Sequence, residues 1–285
     1  MLTISRQLGA GGDEITRLVA AELRWKMLDN ALAEELLVAK GFPQAVVESF
    51  NERKPDLWHR LSSGKERYLH YLKLVSYEFA RQGNFIILGR GGQLLFGEVP
   101  GVLKVQVVAP LEDRVRSLNQ ESGQSAQRAM QALQHSDNER AGFHRFLFHA
   151  DWHSPYLYDL VINRHLLSPQ AAAGLILQAL ACADLKAKRE EARRKVEQLY
   201  LVQKAFVSIL FQEKLPVHYL EIEVHNGTVT LKGVARDHPS IERCREAATG
   251  VFGRKRIDNQ ISFEPKYVEI FSGLHRWEPG GRAAG

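Results

Sequence analysis

The chain has 285 residues, 45% of them hydrophobic and 25% charged, and a net charge of +5 at neutral pH. That is too long for one small core and suggests two domains of ordinary globular composition. The modest positive charge permits anionic ligands without demanding nucleic acid or a membrane, and no stretch reaches the roughly 18 uninterrupted apolar residues of a membrane span.

The first element is a short apolar strand, Leu2 to Ser5. The turn Arg6-Gln7-Leu8-Gly9-Ala10-Gly11-Gly12 and a helix from Asp13 to Arg24 follow. Ile15, Leu18, Val19 and Leu23 recur at helical spacing. Strand, glycine turn and helix together aim backbone N–H groups and a helix dipole at a phosphate, and glycine leaves room for the anion. The turn departs from the phosphate-loop pattern G-x-x-x-x-G-K-[ST]. Aligned on Gly11, Gly12 stands at the lysine position, Asp13 at the hydroxyl position and Arg6 at the first glycine. Asp13 and Glu14 fall in the first helical turn, where they complement the dipole and would repel a phosphate. From these residues alone, a phosphate loop and a plain strand-to-helix turn with an acidic cap stand level.

Lys26 to Asp29 reads as a short second strand and Asn30 to Ala39 as a helix. From Gly41 to Gly83 the pattern stays helical, broken near Pro43, Pro55 and Ser62-Ser63-Gly64. Lys65, Arg67, Tyr68, His70 and Lys73 read as the solvated face of a helix whose apolar side is Leu69, Leu72, Val75 and Phe79. Contact with an acceptor is their sharper alternative. Asn84 to Leu88 is a continuous apolar run, as expected of a strand buried on both faces, and ends in Gly89-Arg90. Ligands of open parallel sheets bind outside the carboxyl ends of strands, which places Arg90 to grip a phosphate through two N–H groups. A plain surface arginine is the alternative.

Leu103 to Val108 forms the fourth strand, and Pro110 opens a helix carrying Arg114 and Arg116. Gln124 to Arg145 is a polar helical stretch with Arg128, Asp137, Arg140 and Arg145. By itself it reads as a solvated helix whose ion pairs are worth little each. His135, His144, His149 and His153 lie nine, five and four residues apart, which is no recognised ligand set, so no metal site is expected. Tyr158 to Asn163 is the fifth strand, and Ser168-Pro169 opens a helix to Leu180.

Several of these pieces recur in one order. They are Ile4-Ser5-Arg6-Gln7-x-Gly9-x-Gly11-Gly12, Phe85 to Gly92, Val105 to Pro110 with Arg114, Asp137-x-x-Arg140 with Arg145, and Tyr158 to Asn163. Together they resemble the cytidylate-kinase-like family, a divergent branch of the P-loop nucleoside monophosphate kinases in which the loop lysine is commonly replaced. The resemblance covers residues 1–183. It implies an α/β, P-loop kinase-like three-layer fold with a five-stranded parallel sheet. It also implies phosphoryl transfer from ATP, with Mg2+, to CMP or a related pyrimidine nucleotide.

On this resemblance Gly9, Ala10, Gly11 and Gly12 hold the donor phosphates, and Asp29 ends the second strand at the family's acidic position. Arg90 holds the acceptor phosphate, while Arg114 and Asp137 face the nucleotide. Arg140 and Arg145 close as a lid over the transfer, with Arg6 left to supply the lysine's charge. Phosphoryl transfer needs positive charge on the equatorial oxygens and exclusion of water, and mobile arginines meet both needs. Two departures stand out. No arginine occurs between Lys26 and Glu52, where cytidylate kinases place one, and Leu88 stands where they have an aspartate. A catalytically weak or inactive nucleotide-binding regulatory protein is the alternative reading.

Residues 184–195 are dense in both signs of charge and read as an exposed connecting helix, the interleaved acids arguing against nucleic acid. A helix then covers Val196 to Phe211. Tyr219 to His225 and Thr228 to Val234 flank Asn226-Gly227, a strong hairpin signal. A helix from Pro239 to Val251 and a strand from Lys255 to Phe263 complete an α-β-β-α-β unit. Ile222 to Val234 and Arg256 to Phe263 resemble a BON domain, here residues 196–264. That resemblance implies contact with a protein partner or a second copy and no catalysis. Phospholipid contact is expected less, because no basic-aromatic patch is present. Residues 265–285 read as a tail disordered at its end. Cys182 and Cys244 have no metal-ligand spacing and read as buried or free thiols of a reducing compartment. The start lacks the basic segment and apolar run of a secretory signal, so the expectation is a cytoplasmic protein.

Overall fold

A computed structural model of the chain describes residues 1–49 and 62–264. The break expected near Pro55 and the tail 265–285 lie outside the described residues. The chain divides into two compact units, Met1–Tyr200 and Leu201–Gly285.

The first unit alternates strands with helices. Its first half contains β1 (Leu2–Arg6), α1 (Gly12–Leu23), β2 (Lys26–Leu28), α2 (Asn30–Ala39), α3 (Gln44–Ser49), α4 (Ser62–Ala80), β3 (Phe85–Leu88) and α5 (Gly92–Leu95). Its second half contains β4 (Leu103–Val108), α6 (Leu111–Ser122), α7 (Ala126–Phe148), β5 (Leu160–Asn163), α8 (Pro169–Leu180), α9 (Ala183–Ala187) and the start of α10 (Arg189–Val207). The five strands form one parallel sheet in the order β2-β3-β1-β4-β5. Ile4 lies opposite Leu88 on one side and Val105 on the other. From β1 the chain crosses to the edge strand β2, returns to β3 beside β1, and then continues on the other side through β4 to β5. This reversal opens a crevice beside the carboxyl end of β1, where such sheets bind ligands.

Strands covered on both faces need apolar residues throughout. Leu2, Ile4, Ile86, Leu88, Val105, Val107 and Ile162 supply them, packed against Ile15 and Val19 of α1 and Ala172, Ala173 and Ile176 of α8. Helix starts follow their caps. Asp29, Ser125 and Ser168 accept the N–H groups of Leu32, Arg128 and Ala171. The apparent break at Ser62-Ser63-Gly64 is instead the first turn of α4.

The charged segment 184–195 is mostly exposed, in keeping with its reading as a connecting helix. It is helical, but Ala192, Val196 and Tyr200 of α10 are buried. Arg81 pairs with Glu197 at 2.8 Å, and its guanidinium lies 4.3 Å from the Tyr200 ring centroid. The residues at i, i+4 and i+8 make an apolar stripe that a count of charges hides. The division between units accordingly falls inside α10, not ahead of it.

In the second unit α10 runs into a wide turn at Ser208–Gln212. Then come β6 (Val217–His225), β7 (Thr228–Ala235), α11 (His238–Phe252) and β8 (Arg256–Phe263). β6 and β7 are antiparallel and β8 joins β7 in parallel. Asn226 and Gly227 both take positive φ, 47° and 80°, as the two-residue hairpin turn requires. Ile209, Val217, Ile222, Val229, Leu231, Cys244, Ala248 and Phe252 form the core. Cys182 is exposed and Cys244 buried, and both are free thiols. Among the described residues no helix is long and apolar enough to cross a membrane. Leu231 is fully buried in this small core. Leu231→Ala is expected to cost about 2–5 kcal/mol of unfolding free energy, read by urea denaturation followed through far-UV circular dichroism.

Candidate functional site

The turn between β1 and α1 is built by what its glycines lack. Gly9 and Gly11 have φ of 75° and 74°, a region where a side chain is strained. A Cβ on Gly9 would lie 2.9 Å from the Arg114 carbonyl oxygen, and one on Gly12 would lie 2.7 Å from Arg6 Cγ. The Arg6 stem therefore runs through the space beside Gly12, where a phosphate loop carries its lysine. Its Nε donates to Asp13 Oδ1 at 2.9 Å, so this cation already has a counter-charge. The N–H of Ala10 is turned inward to the Gln7 carbonyl at 3.2 Å, which removes Ala10 from the expected phosphate donors. No side chain caps the start of α1. The first N–H groups of that helix thus point outward without an intrahelical acceptor.

Beside this turn lies a cavity of about 280 Å³, lined by Gly9, Asp113, Arg116, Arg164, His165 and Leu166 among others. Its walls are the carboxyl ends of β4 and β5 and the face of α6. His165 Nδ1 donates to Asp113 Oδ2 at 2.6 Å, and Arg116 donates to the other oxygen at 3.2 Å. The His165 hydrogen bond, with the Arg116 charge, holds the Asp113 carboxyl below the usual carboxylate range. The Arg164 guanidinium rests on the turn itself, with Nη1 2.7 Å from where a Cβ of Gly11 would stand. Arg164, His165 and Asp113 were missed in the sequence. The signal was present for Arg164, which directly follows the last residue of β5 at its carboxyl end.

The acceptor-side residues have structural partners. Asp29 is the N-cap of α2, its carboxylate accepting from Leu32 N at 2.9 Å. Arg90, at φ 53°, is only 2% exposed. Its Nε donates to Asn30 at 3.2 Å, Nη1 to Tyr68 Oη at 2.6 Å and Nη2 to Glu34 at 2.5 Å. The arginine expected to grip an acceptor phosphate instead fastens α2 and α4 to the end of β3. Sequence spacing did not show this, because Glu34 and Tyr68 reach Arg90 from two separate helices. Of the other candidates on α4, Lys65 lies 3.3 Å from His149 Nε2, and Arg67 packs over Phe42 and Tyr71.

Arg114 and Asp137, each expected to face the nucleotide, face each other in this structure. Three hydrogen bonds of 2.7–3.0 Å form a two-pronged pair between α6 and α7. Burial pushes the Asp137 carboxyl up, against the opposing charges of Arg114, Arg140 and His153. The lid is one unbroken helix, α7. Arg140 is half-buried and donates to Ser136 at 2.5 Å, while Arg145 is exposed. Five residues along a helix is about 140° around its axis, so Arg140 and Arg145 cannot face one group together from this helix.

Beneath α7 a buried polar network closes the floor. His144 Nδ1 donates to the Arg140 carbonyl at 2.7 Å, which leaves Nε2 to accept from Gln93 at 2.9 Å. Trp152 is fully buried and donates to Ser5 Oγ at 2.7 Å, while Gln106 and Tyr158 donate to its carbonyl. Arg90→Ala is expected to strand Glu34 and Tyr68 and cost about 3–5 kcal/mol of stability. In Arg90→Met with Glu34→Leu the loss is expected to shrink, because neither charge is left alone. Chemical denaturation of the two variants reads the difference.

The profile of the cytidylate kinase-like family matches residues 1–166 of this chain. No curated protein matches it. Among solved structures, an uncharacterized protein from Eubacterium ventriosum aligns with 63% of this chain and 97% of its own at 16% identity and a TM-score of 0.50, a likeness of fold. A shikimate kinase from Bacteroides thetaiotaomicron aligns with 64% of this chain and 98% of its own at 14% identity and a TM-score of 0.40. With the glycine turn, the parallel β2-β3-β1-β4-β5 sheet and a profile spanning 166 of 285 residues, the chain belongs to the cytidylate kinase-like family.

Proposed function

We propose that the protein is an ATP-dependent phosphotransferase acting on CMP or a related pyrimidine nucleotide. The observation that carries the donor half is the cavity of about 280 Å³ that opens directly from the glycine turn at Gly9. A triphosphate laid along the turn meets the free N–H groups of α1 and leaves its base and ribose in the cavity. The pyrimidine acceptor comes from family membership. In this structure Arg90 is bonded to Glu34 and Asp29 caps α2.

The residues present suit magnesium carried in by the nucleotide. The loop's hydroxyl position is Asp13, whose carboxylate Arg6 holds, and no group of three or more His, Cys, Asp or Glu among the described residues forms a metal set. Magnesium is commonly held by substrate phosphates, water and one or two carboxylates, and needs no resident cage. Bound so, it would neutralise charge on the donor phosphates.

A regulatory reading has one observation in its favour. Arg6, Arg90 and Arg114 each carry a carboxylate partner, namely Asp13, Glu34 and Asp137. Cations already paired hold a nucleotide less strongly at the moment of transfer. In that case the second unit, which we read as BON-like from its α-β-β-α-β order, would report occupancy to a protein partner or a second copy. Glu221 and Glu223 are exposed on β6, with Glu223 paired to Lys232 at 2.9 Å, and this mixed-charge surface favours a protein partner over anionic headgroups.

The test is ADP release from ATP and Mg2+ with CMP, dCMP, UMP, AMP and GMP offered in turn. Turnover is expected with a pyrimidine monophosphate. No turnover, with ATP still raising the melting temperature, would favour the regulatory reading. Neither turnover nor a shift would remove the phosphate-loop assignment.

A further inference from the structure

The glycine turn has no lysine, and the arginine beside it is already paired with the exposed carboxylate of Asp13. A second carboxylate, Glu14, sits in the first turn of α1. A donor triphosphate therefore needs a cation from elsewhere. We infer that Arg164, on the connection between β5 and α8, binds the donor phosphates in the lysine's stead. This rests on the donor-site reading above.

Three features of Arg164 carry the inference. Its guanidinium lies on the turn, with Nη1, Cζ and Nε 2.7, 2.8 and 3.1 Å from the Cβ position of Gly11. Gly11 has to be glycine for that approach, as well as for its φ of 74°. Second, Arg164 lines the same cavity as Gly9, so it borders both the turn and the space proposed for the nucleoside. Third, no ion pair or side-chain hydrogen bond ties its guanidinium to another described residue, whereas Arg6, Arg90 and Arg114 each have a carboxylate. Its main chain is fixed, because Arg164 N donates to the Val108 carbonyl at 2.8 Å. A long cation anchored on the sheet and unpaired at its tip has what the missing lysine would contribute. Its planar fork also takes two oxygens of one phosphate or of adjacent ones.

The cation thus enters from the opposite wall. A phosphate loop reaches its anion from beneath, from the start of the helix. Here the helix supplies N–H groups from beneath and Arg164 closes from above, beside the nucleoside cavity. The arrangement also explains why Asp13 is tolerated at the hydroxyl position. Asp13 holds Arg6 back from the anion, and the charge needed there comes from Arg164, just after β5, instead.

Isothermal titration of the full chain with Mg2+–ATP, inorganic triphosphate and adenosine tests this. Arg164→Ala is expected to weaken ATP and triphosphate about 10- to 100-fold, the range for a hydrogen-bonded charge, and to leave adenosine unchanged. Arg164→Lys should recover part of the loss, and Arg6→Ala should cost less than Arg164→Ala. The inference is overturned if Arg164→Ala binds triphosphate like the wild type. It is equally overturned if adenosine weakens as much as triphosphate, or if Arg6→Ala proves the more damaging change. Wild-type protein that binds neither ATP nor triphosphate would overturn the donor-site reading itself, whatever Arg164 does. The melting temperature of unliganded Arg164→Ala should match the wild type, since its guanidinium bonds no described side chain.

Discussion

At Gly9, Gly11 and Gly12 the turn between β1 and α1 has no room for a side chain, and the rest of the site depends on that. Gly9 lets the chain lie against the backbone of Arg114, and Gly12 lets it lie against the stem of Arg6. From Arg114 the contacts pass to Asp137 on α7. At the far end of α7, Phe148 presses on Gly91, where a Cβ would come within 2.6 Å of its Cζ. Gly91 adjoins Arg90, which reaches Glu34 on α2. The carboxyl end of the sheet is thereby ringed by close packings, each needing a glycine or a buried ion pair. In a dense interior such contacts transmit displacement and do not absorb it.

Charge in this ring falls into two kinds. Arg90 and Arg114 are buried and held by carboxylates, so each is costly to leave alone and ill suited to release its partner for a ligand. Arg164 and Arg116 line an open cavity. The buried pairs join separate helices to the sheet and give shape, while the cavity arginines face the space a ligand would fill. A residue type that looked uniformly functional divides by burial, and within the cavity Arg116 still pairs with Asp113.

The lid belongs with the scaffold as well. A capped, continuous α7 stands on the His144, Gln93, Tyr158 and Trp152 network, with His144 bonded on both ring nitrogens. Satisfied buried polar networks rigidify what they support. Arg140 approaches the Arg114–Asp137 pair through the charge of Asp137, while Arg145 is turned elsewhere along the helix. Closure over a substrate by both arginines would need α7 to break or rotate.

Local chemistry was enough to read much of the fold. Continuous apolar runs specified buried strands, Ser168-Pro169 and Asn226-Gly227 specified a helix start and a hairpin, and the glycine turn lay where it was expected. These signals act over a few residues, so a linear string carries them. Tertiary structure decided which charges meet. Glu34 lies 56 residues from Arg90 and Asp137 lies 23 from Arg114, and no spacing rule connects them. It also buried one face of the charged α10 and laid Arg164 across a turn more than 150 residues earlier in the sequence. An arginine's role follows from what surrounds its guanidinium, and that environment exists only once distant segments have packed.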